Sequence, residues 1–137
     1  MRGETNLNNI LRNLAPEIRD EVFVFCTLKG ASLPEWMHAS IFASVAEPEG
    51  LTLVLPQEEA EREGLTYEGT YRCVSLGVHS SLDAFGLTAA LSRALAESAI
   101  SANMFAGYYH DHILVPTEDA ERAMVCLNSL SEAALLS

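Results

Sequence analysis

Residues able to bind a small molecule are concentrated in the short segment from Ser80 to Leu87. Ser80 and Ser81 supply hydroxyl groups, and Gly86 allows close approach of the backbone to a ligand. The segment opens an amphipathic helix, and a helix N-terminus presents unpaired N–H groups with partial positive charge. These features suit a ligand carboxylate. The alternative is that Ser81 and Asp83 simply cap the helix. The candidate ligand-binding residues here are Ser80, Ser81, Leu82, Asp83, Gly86 and Leu87.

A second polar cluster, Gly107-Tyr-Tyr-His-Asp-His112, lies in a predicted hairpin. In an extended chain His110 and His112 face the same side, which is a metal-ligand spacing, and Asp111 would then orient or add to the site. The same residues also fit a ligand-lining or interface role, in which the tyrosines offer flat contact area and Asp111 a charge for an ammonium group. Tyr108, His110 and Asp111 are therefore added to the candidate ligand-binding residues, and no metal is assigned.

Catalytic chemistry has weaker support in the sequence. His79 ends a predicted strand beside Ser80 and near the hairpin, so a Ser-His-Asp set is conceivable, but no nucleophile elbow is present. The three cysteines form no C-x-x-C pair and lie in apolar patterns, which indicates reduced, buried thiols. Phosphate-loop, dinucleotide and zinc-finger signatures are absent. The sequence thus predicts no catalytic residue and no cofactor.

The second half of the chain contains the elements that must position these residues. Residues 71 to 79 alternate between apolar and small or polar side chains, which is the pattern of a half-buried strand. The next apolar positions follow helical spacing, so a helix should pack on the sheet. A hairpin follows, and Thr117 can cap a last helix. The apolar positions of the two helices are Leu87, Ala90, Leu91, Ala94 and Leu95, and Ala120, Ala123, Met124, Leu127 and Leu130.

The first half is less regular. A helix is predicted from about residue 5 to residue 14, capped by Thr5 and ended before Pro16, followed by a strand at residues 22 to 28. Residues 29 to 40 are interpreted as a loop, in which Trp36, Met37 and His38 either border a pocket or belong to the core. A hairpin turning at residues 47 to 50 and a short helix at residues 57 to 63, stopped by Gly64, complete this half.

An internal repeat links the two halves. LVLPQEEAER, residues 53 to 62, aligns with ILVPTEDAER, residues 113 to 122, with identical Pro, Glu, Ala, Glu and Arg positions. A strand that ends in proline before an acid-rich helical turn also arises by convergence, because proline suits the first helical position and acids suit the helix dipole. Duplication is the favoured interpretation.

The string VHSSLDAFGLTAALSRAL…ISANMFAGYYHDHILVP resembles the ACT domain, with D-x-x-G from Asp83 to Gly86 at the helix start. The chain resembles small bacterial proteins with two tandem ACT units, relatives of the CASTOR arginine sensors and of the aspartate kinase regulatory region. The resemblance is close over the second half and loose over the first.

The resemblance implies an α+β fold of two ferredoxin-like βαββαβ units, with antiparallel sheets and helices on one face. Residues 1–66 would form a degenerate N-terminal unit and residues 67–137 the C-terminal unit. The strand expected after the last helix is missing, so strands are shared or a partner chain supplies one. The N-terminal helix could take the place of the helix that the N-terminal unit lacks.

The resemblance also implies a non-catalytic regulatory protein that binds a free amino acid at an interface between units. By position, the segment from Ser80 to Leu87 would hold the carboxylate and Asp83 would face the ammonium group. A homodimer is expected. The alternatives are a dimerisation or interaction module without a ligand, and a metal site on His110, Asp111 and His112.

Composition limits the partners further. The formal net charge is −11, from 19 acidic and 8 basic residues. Nucleic-acid binding depends on Lys and Arg contacts to phosphate, so DNA and RNA are unexpected partners. The longest apolar runs are shorter than the roughly 20 residues that a membrane span needs, and the first residues contain no apolar signal segment. These features predict a cytoplasmic protein without a membrane partner.

Overall fold

A computed structural model describes residues 2–29, 35 and 41–136 of the chain. Helices and strands are mixed along it, as the predicted α+β class requires. The strands are β1 (Pro16–Leu28), β2 (Ala43–Glu47), β3 (Gly50–Pro56), β4 (Tyr71–Leu76), β5 (Asn103–Ala106) and β6 (Asp111–Pro116). The helices are α1 (Leu7–Arg12), α2 (Gln57–Arg62), α3 (Leu87–Glu97) and α4 (Ala120–Leu135), with a 3-10 turn at Thr117–Asp119 before α4.

The chain divides into two compact units, the first made of Met1–Asp20 and Arg72–Ser137 and the second of Glu21–Tyr71. In the second unit β2, β3 and β1 are neighbours in that order, and both pairs are antiparallel. The β2–β3 hairpin closes where Glu47 pairs with Gly50, which confirms the predicted turn. Helix α2 ends at Arg62, and Gly64 has φ +68°, as a residue that ends a helix requires.

The first unit places β4, β6 and β5 side by side, with the beginning of β1 next to β4. Its core lies between one face of these strands and α1, α3 and α4. Alternate positions of β4 and β6 point into this core because successive side chains of a strand face opposite sides. The fully buried core side chains include Ile10, Leu14, Val74, Leu76, Leu91, Leu95, Ile113, Val115 and Leu127. The predicted apolar faces of the two long helices are therefore confirmed.

Two boundaries near the N-terminus differ from the predictions. Helix α1 is capped by Asn6, whose side-chain oxygen accepts the Asn9 N–H, so the predicted Thr5 cap is wrong. Pro16 follows the helical segment and is also the first residue of β1, so the strand begins six positions earlier than predicted. Proline is tolerated as the first residue of a strand. Four of the five residues from 17 to 21 are charged, so there was no apolar alternation to indicate this part of the strand.

Strand β1 and helix α1 concern two questions that the sequence pattern left open. The residues of β1 up to Asp20 belong to the first unit and those from Glu21 to the second. Completion of the sheet by shared strands or by a partner chain stays a prediction. Helix α1 packs in the first unit: Arg12 Nε donates to the Ala134 carbonyl at 3.2 Å, and the Ser131 hydroxyl donates to the Arg12 carbonyl at 3.4 Å. The N-terminal helix therefore adds to the helical layer of α3 and α4.

The internal repeat has the same local structure in both copies. Pro56 has φ −58° and ψ 140°, and Pro116 has φ −53° and ψ 140°. A helical turn follows each proline, and an arginine pairs with the acid three positions before it in both copies. The pairs are Arg62 with Glu59 and Arg122 with Asp119. The assignment of the unit boundary between residues 66 and 67 stays a prediction.

Some predictions fall on residues that the structure does not describe. Trp36, Met37 and His38, and most of the loop at residues 29 to 40, lie outside the described residues. Within residues 2–29, 35 and 41–136, none of the helices has the length and apolar character needed to cross a membrane.

Candidate ligand-binding cleft

Helix α3 begins without a side-chain cap. Its N-cap is Gly86, which has φ +96° and ψ −18°, and the helix starts at Leu87. The predicted caps Ser81 and Asp83 are wrong, because both side chains are used before the helix begins. The Ser81 hydroxyl accepts the Asp83 N–H at 3.1 Å, and the Asp83 carboxylate accepts from Arg2 Nη2 at 2.8 Å. The simple capping alternative for this loop therefore fails.

Gly86 brings the loop close to the rest of the first unit. A Cβ built on it would lie 2.9 Å from Leu7 Cδ2, and its positive φ is strained for other residues. The Gly86 carbonyl accepts the Ala90 N–H at 2.9 Å, which is the first bond of the helix. The N–H groups before Ala90 have no acceptor within the helix, as in any first helical turn. They carry the positive end of the helix dipole.

The hairpin of β5 and β6 lies across from this loop. Its turn is closed by the Gly107 N–H, which donates to the His110 carbonyl at 2.9 Å. The Ser80 hydroxyl donates to Asp111 Oδ2 at 3.0 Å and so joins the loop to the hairpin. Ser80 is only 6% exposed. A hydrogen bond to a charged group contributes roughly 1.5–3 kcal/mol, so this contact fixes the positions of both partners.

A cleft of about 140 Å³ opens between the loop and the hairpin, and it is called the loop–hairpin cleft below. The described residues that line it are Ser80, Ser81, Leu82, Ala84, Gly86, Leu87, Thr88, Ala106, Gly107 and Asp111. Six of the nine predicted ligand-binding residues are therefore in one place. Asp83, Tyr108 and His110 are not among the lining residues.

Asp83 and Tyr108 line a second small cleft of about 130 Å³ on the other side of the loop. This cleft shares Ser81 and Leu82 with the first, and it also contacts Arg2, Gly3 and His79. The Arg2 and Asp83 side chains are 80% and 73% exposed, so their ion pair is well solvated. His79 contacts the hairpin through Tyr109, with ring centroids 5.1 Å apart, as its position at the strand end suggested.

His110 and His112 have separate neighbours. His110 Nδ1 lies 3.3 Å from the Val78 carbonyl oxygen, whereas His112 Nδ1 lies 2.7 Å from the Ser75 hydroxyl. Burial lowers the pKa of His112, the charges of Arg19 and His110 lower it further, and Asp111 opposes them. No group of three or more His, Cys, Asp or Glu within the described ranges is arranged to hold a metal ion.

The N-terminal segment contacts the loop from Ser80 to Gly86, which the sequence did not indicate. Glu4 and Ser80 form an isolated parallel β-bridge. The Glu4 N–H donates to the His79 carbonyl and the Ser81 N–H donates to the Glu4 carbonyl, both at 2.8 Å. A Cβ on Gly3 would lie 2.6 Å from the His79 carbonyl oxygen, so the two backbones are in close contact. The backbone of the loop is thus held from one side, and the cleft opens on another.

Four lining residues were missed by the sequence-based predictions. Ala84, Ala106 and Gly107 carry no side-chain group that suggests binding, whereas Thr88 has a hydroxyl but lies one position beyond the predicted segment. All four line the cleft because the loop and the hairpin approach each other. Gly107 had a usable signal, since glycine in a tight turn often marks a close backbone contact. Its Cβ would lie 2.8 Å from the His110 carbonyl oxygen.

Comparison with known proteins agrees with the order of elements. An ACT-domain family model matches residues 2–72, which is more than half of the chain, and a second ACT-domain model matches residues 67–129. The chain belongs to the ACT-domain family. The two matches occur in tandem, so the predicted pair of ferredoxin-like ACT units is confirmed.

Solved structures place this ACT-domain protein among close and distant relatives. A Vibrio cholerae protein of unknown function, VC0802, described as a possible transport protein, is 43% identical; the match covers 91% of this chain and 95% of that chain with a TM-score of 0.81. Atu0741 from Agrobacterium tumefaciens is 16% identical over 87% of this chain and 90% of its own, with a TM-score of 0.73.

The regulatory subunit of aspartate kinase from Thermus thermophilus, in its ligand-free form, shares the fold at 10% identity. That match covers 86% of this chain and 97% of the subunit, with a TM-score of 0.63. No curated protein matches the chain. The tandem ACT arrangement supports a regulatory, ligand-binding role. The likeness to the aspartate kinase subunit shows a shared fold.

Proposed function

We propose that this ACT-domain protein is a non-catalytic regulator that binds a free amino acid in the loop–hairpin cleft. The observation that supports it most is the N-terminus of α3, which has no side-chain cap and opens beside the partly buried Ser80–Asp111 pair. Backbone N–H groups and a carboxylate at one small cleft offer both charges that a zwitterion requires. The two groups therefore match the two charged ends of an amino acid.

In the proposed complex the ligand carboxylate accepts hydrogen bonds from the first backbone N–H groups of α3. Helix N-termini favour anions through these groups and through the helix dipole. The ligand ammonium group faces Asp111, which replaces Asp83 as its predicted partner because Asp83 is paired with Arg2 away from this cleft. Ser80 holds the Asp111 carboxylate in position through its hydroxyl.

Binding of this kind carries a regulatory signal only if the ligand prefers one state of the protein. A ligand that binds the folded form alone stabilises it by about 2.7 kcal/mol at a hundredfold excess over Kd. For a chain of this length that corresponds to a rise in Tm of roughly 5–13 °C. Ligand binding should therefore be easy to detect as a thermal shift.

The test is a thermal-shift screen of the purified protein against the twenty amino acids, each also titrated by calorimetry. We expect at least one amino acid to raise Tm and Asp111→Asn to abolish the response, because the substitution removes the negative charge but keeps the shape. Asp83→Asn is the matched control, since Asp83 lies outside the loop–hairpin cleft, and it should keep the response.

Two results would contradict the proposal. One is the absence of a thermal shift with every amino acid in the wild-type protein. The other is a response that survives in Asp111→Asn but is lost in Asp83→Asn, which would place the ligand in the second cleft. Circular dichroism of both variants checks that each is folded.

We also propose a homodimer, which is supported by membership of the ACT family and by the exposed apolar side chains near the cleft. Leu82 and Phe85 on the loop, and Tyr108 and Tyr109 on the hairpin, are all more than half exposed, with Phe85 at 88%. Large exposed apolar groups that cluster on one surface mark interaction sites. A second copy covering this surface would border the ligand site.

Sedimentation equilibrium tests the dimer. Phe85→Ser combined with Tyr109→Ser should weaken self-association by at least tenfold, whereas Val125→Ser, which removes an exposed apolar group from α4, should leave it unchanged. A wild-type protein that is monomeric at about 100 μM, or a dimer unaffected by the double substitution, would count against this surface. A ligand site at an interface between units, a cytoplasmic location and the absence of nucleic-acid partners stay predictions.

A further inference from the structure

We infer that the loop–hairpin cleft selects amino acids with small, uncharged side chains, namely glycine, alanine and serine. This inference rests on the proposed function and adds the class of ligand to it. Its support comes from the volume of the cleft, from the backbone that forms its walls and from the charges that line it.

The volume of the cleft is the first limit. It measures about 140 Å³. An apolar protein cavity of about 150 Å³ accommodates benzene, a molecule of about six non-hydrogen atoms. Glycine, alanine and serine have about five to seven such atoms, so they match this space. Leucine, phenylalanine and arginine have about nine to twelve such atoms, so part of each would extend out of the cleft without contacts to its walls.

The walls are the second limit, because four of the ten described lining residues are alanine or glycine, whose positions are set by the backbone. Ala84, Gly86, Ala106 and Gly107 contribute little or no side chain. A Cβ on Gly86 would lie 2.9 Å from Leu7 Cδ2, and one on Gly107 would lie 2.8 Å from the His110 carbonyl oxygen. The space on the Cβ side of both glycines is therefore already occupied. A larger ligand would have to move them into occupied space.

Charge is the third limit. Asp111 is the one ionisable side chain among the described residues that line the cleft. In the proposed complex it is occupied by the ligand ammonium group. A lysine or arginine side chain would bring a second positive charge without a second partner, and an aspartate or glutamate side chain would meet Asp111 without a compensating cation. A poorly solvated, unpaired charge is unfavourable, so charged side chains are rejected.

The experiment compares Kd values from calorimetry for glycine, alanine and serine with those for leucine, phenylalanine, arginine and aspartate. We expect the small group to bind at least tenfold more tightly, since even one methylene that does not fit changes affinity by about tenfold or more. Ala106→Leu, which fills the cleft, should weaken alanine binding at least tenfold. Ala46→Leu, at an exposed strand position of the second unit, is the matched control and should leave it unchanged.

The outcomes separate this inference from the proposed function. Binding of arginine, phenylalanine or aspartate as tight as that of alanine, and still abolished by Asp111→Asn, would overturn the size and charge limits while the proposed function stands. No binding of any amino acid would overturn the proposed function, and this inference with it. Alanine binding that is unchanged in Ala106→Leu would show that the ligand lies elsewhere.

Discussion

Gly86 has the backbone conformation on which the start of α3 and the cleft depend. Its φ of +96° is unfavourable for residues with a Cβ, and Leu7 already fills the space where that atom would lie. The predicted role of Gly86 was close approach to a ligand. Its contact with Leu7 adds a structural role, because the glycine lets α1 and the loop from Ser80 to Gly86 pack together.

Substitution of Gly86 measures how much its backbone conformation and its contact with Leu7 contribute to stability. Gly86→Ala should lower the free energy of unfolding by about 1–2 kcal/mol from backbone strain, with a further loss from the displaced Leu7. Gly64→Ala is the control: Gly64 has φ +68°, and no atom lies within 4 Å of its added Cβ. Because the unfolded-state effect is the same for both changes, a smaller loss for Gly86→Ala in urea unfolding would contradict the packing argument.

His112 should make stability depend on pH. Its pKa lies below the ordinary value of 6.5 because burial disfavours the charged ring, with Arg19 and His110 acting in the same direction. Near this pH the unfolded chain therefore binds more protons than the folded protein. The contribution of the neutral His112 ring to the free energy of unfolding is thus complete above about pH 6.5 and is lost as the pH falls below it. Urea unfolding at about pH 7.5 and about pH 5.5 measures the loss.

His112→Asn is the variant for this test, since it removes the titrating ring and keeps a group able to hydrogen-bond with Ser75. The variant should lose less stability than the wild-type protein between the two pH values. His79→Asn is the control, because His79 is not among the groups that act on His112. An equal pH dependence in wild type and His112→Asn would show that other groups cause it.

The repeated turns after β3 and β6 have similar local structure but differ in one tertiary hydrogen bond. Both contain an arginine paired with an acid of its own turn, and the arginine of the second turn also contacts a neighbouring helix. Arg122 Nη1 donates to the carbonyl of Ser98 at 2.8 Å, at the end of α3. It therefore satisfies a carbonyl at a helix C-terminus, where positive charge is favourable.

Two matched substitutions test this difference. Arg122→Gln should lower the free energy of unfolding by about 1 kcal/mol, the usual net value of one hydrogen bond. Arg62→Gln removes an exposed ion pair and should change it by less than about 0.5 kcal/mol. Equal effects in chemical denaturation would mean that the contact between Arg122 and Ser98 contributes nothing beyond the local pair.

At the scale of the whole molecule, the net charge of −11 opposes compactness. Like charges repel more strongly in the folded state because they are closer together, and salt screens this repulsion over a Debye length of about 10 Å at 0.1 M. The free energy of unfolding should therefore rise between about 20 mM and about 300 mM sodium chloride. Thermal unfolding over this range gives the measurement.

Glu63→Gln with Glu97→Gln provides the comparison for the salt effect. Both residues are exposed and lie at the C-terminal ends of helices, where a negative charge is unfavourable. The double variant should be more stable at low salt and respond less to added salt. A salt response as large as that of the wild-type protein would argue against repulsion as its cause.

Local patterns in the sequence were sufficient to predict the helices, the strands and the family. Strand alternation, helical spacing and the repeat at residues 53 and 113 each depend on neighbours within one segment, and the structure confirms the elements that they predict. The loop from Ser80 to Gly86 was also predicted before a helix, because glycine, serine and aspartate mark a helix start, and its role in ligand binding stays a proposal. The family matches agree with the resemblance in both halves.

Tertiary structure decided which partners the polar side chains of the loop from Ser80 to Gly86 have. Asp83 pairs with Arg2, 81 positions away, and Ser80 binds Asp111, 31 positions away. A sequence shows that a side chain can donate or accept a hydrogen bond, but the partner is chosen by the folding of distant segments. For this reason the ammonium partner moved from Asp83 to Asp111 in the proposed complex, and the small volume of the cleft became visible only where loop and hairpin meet.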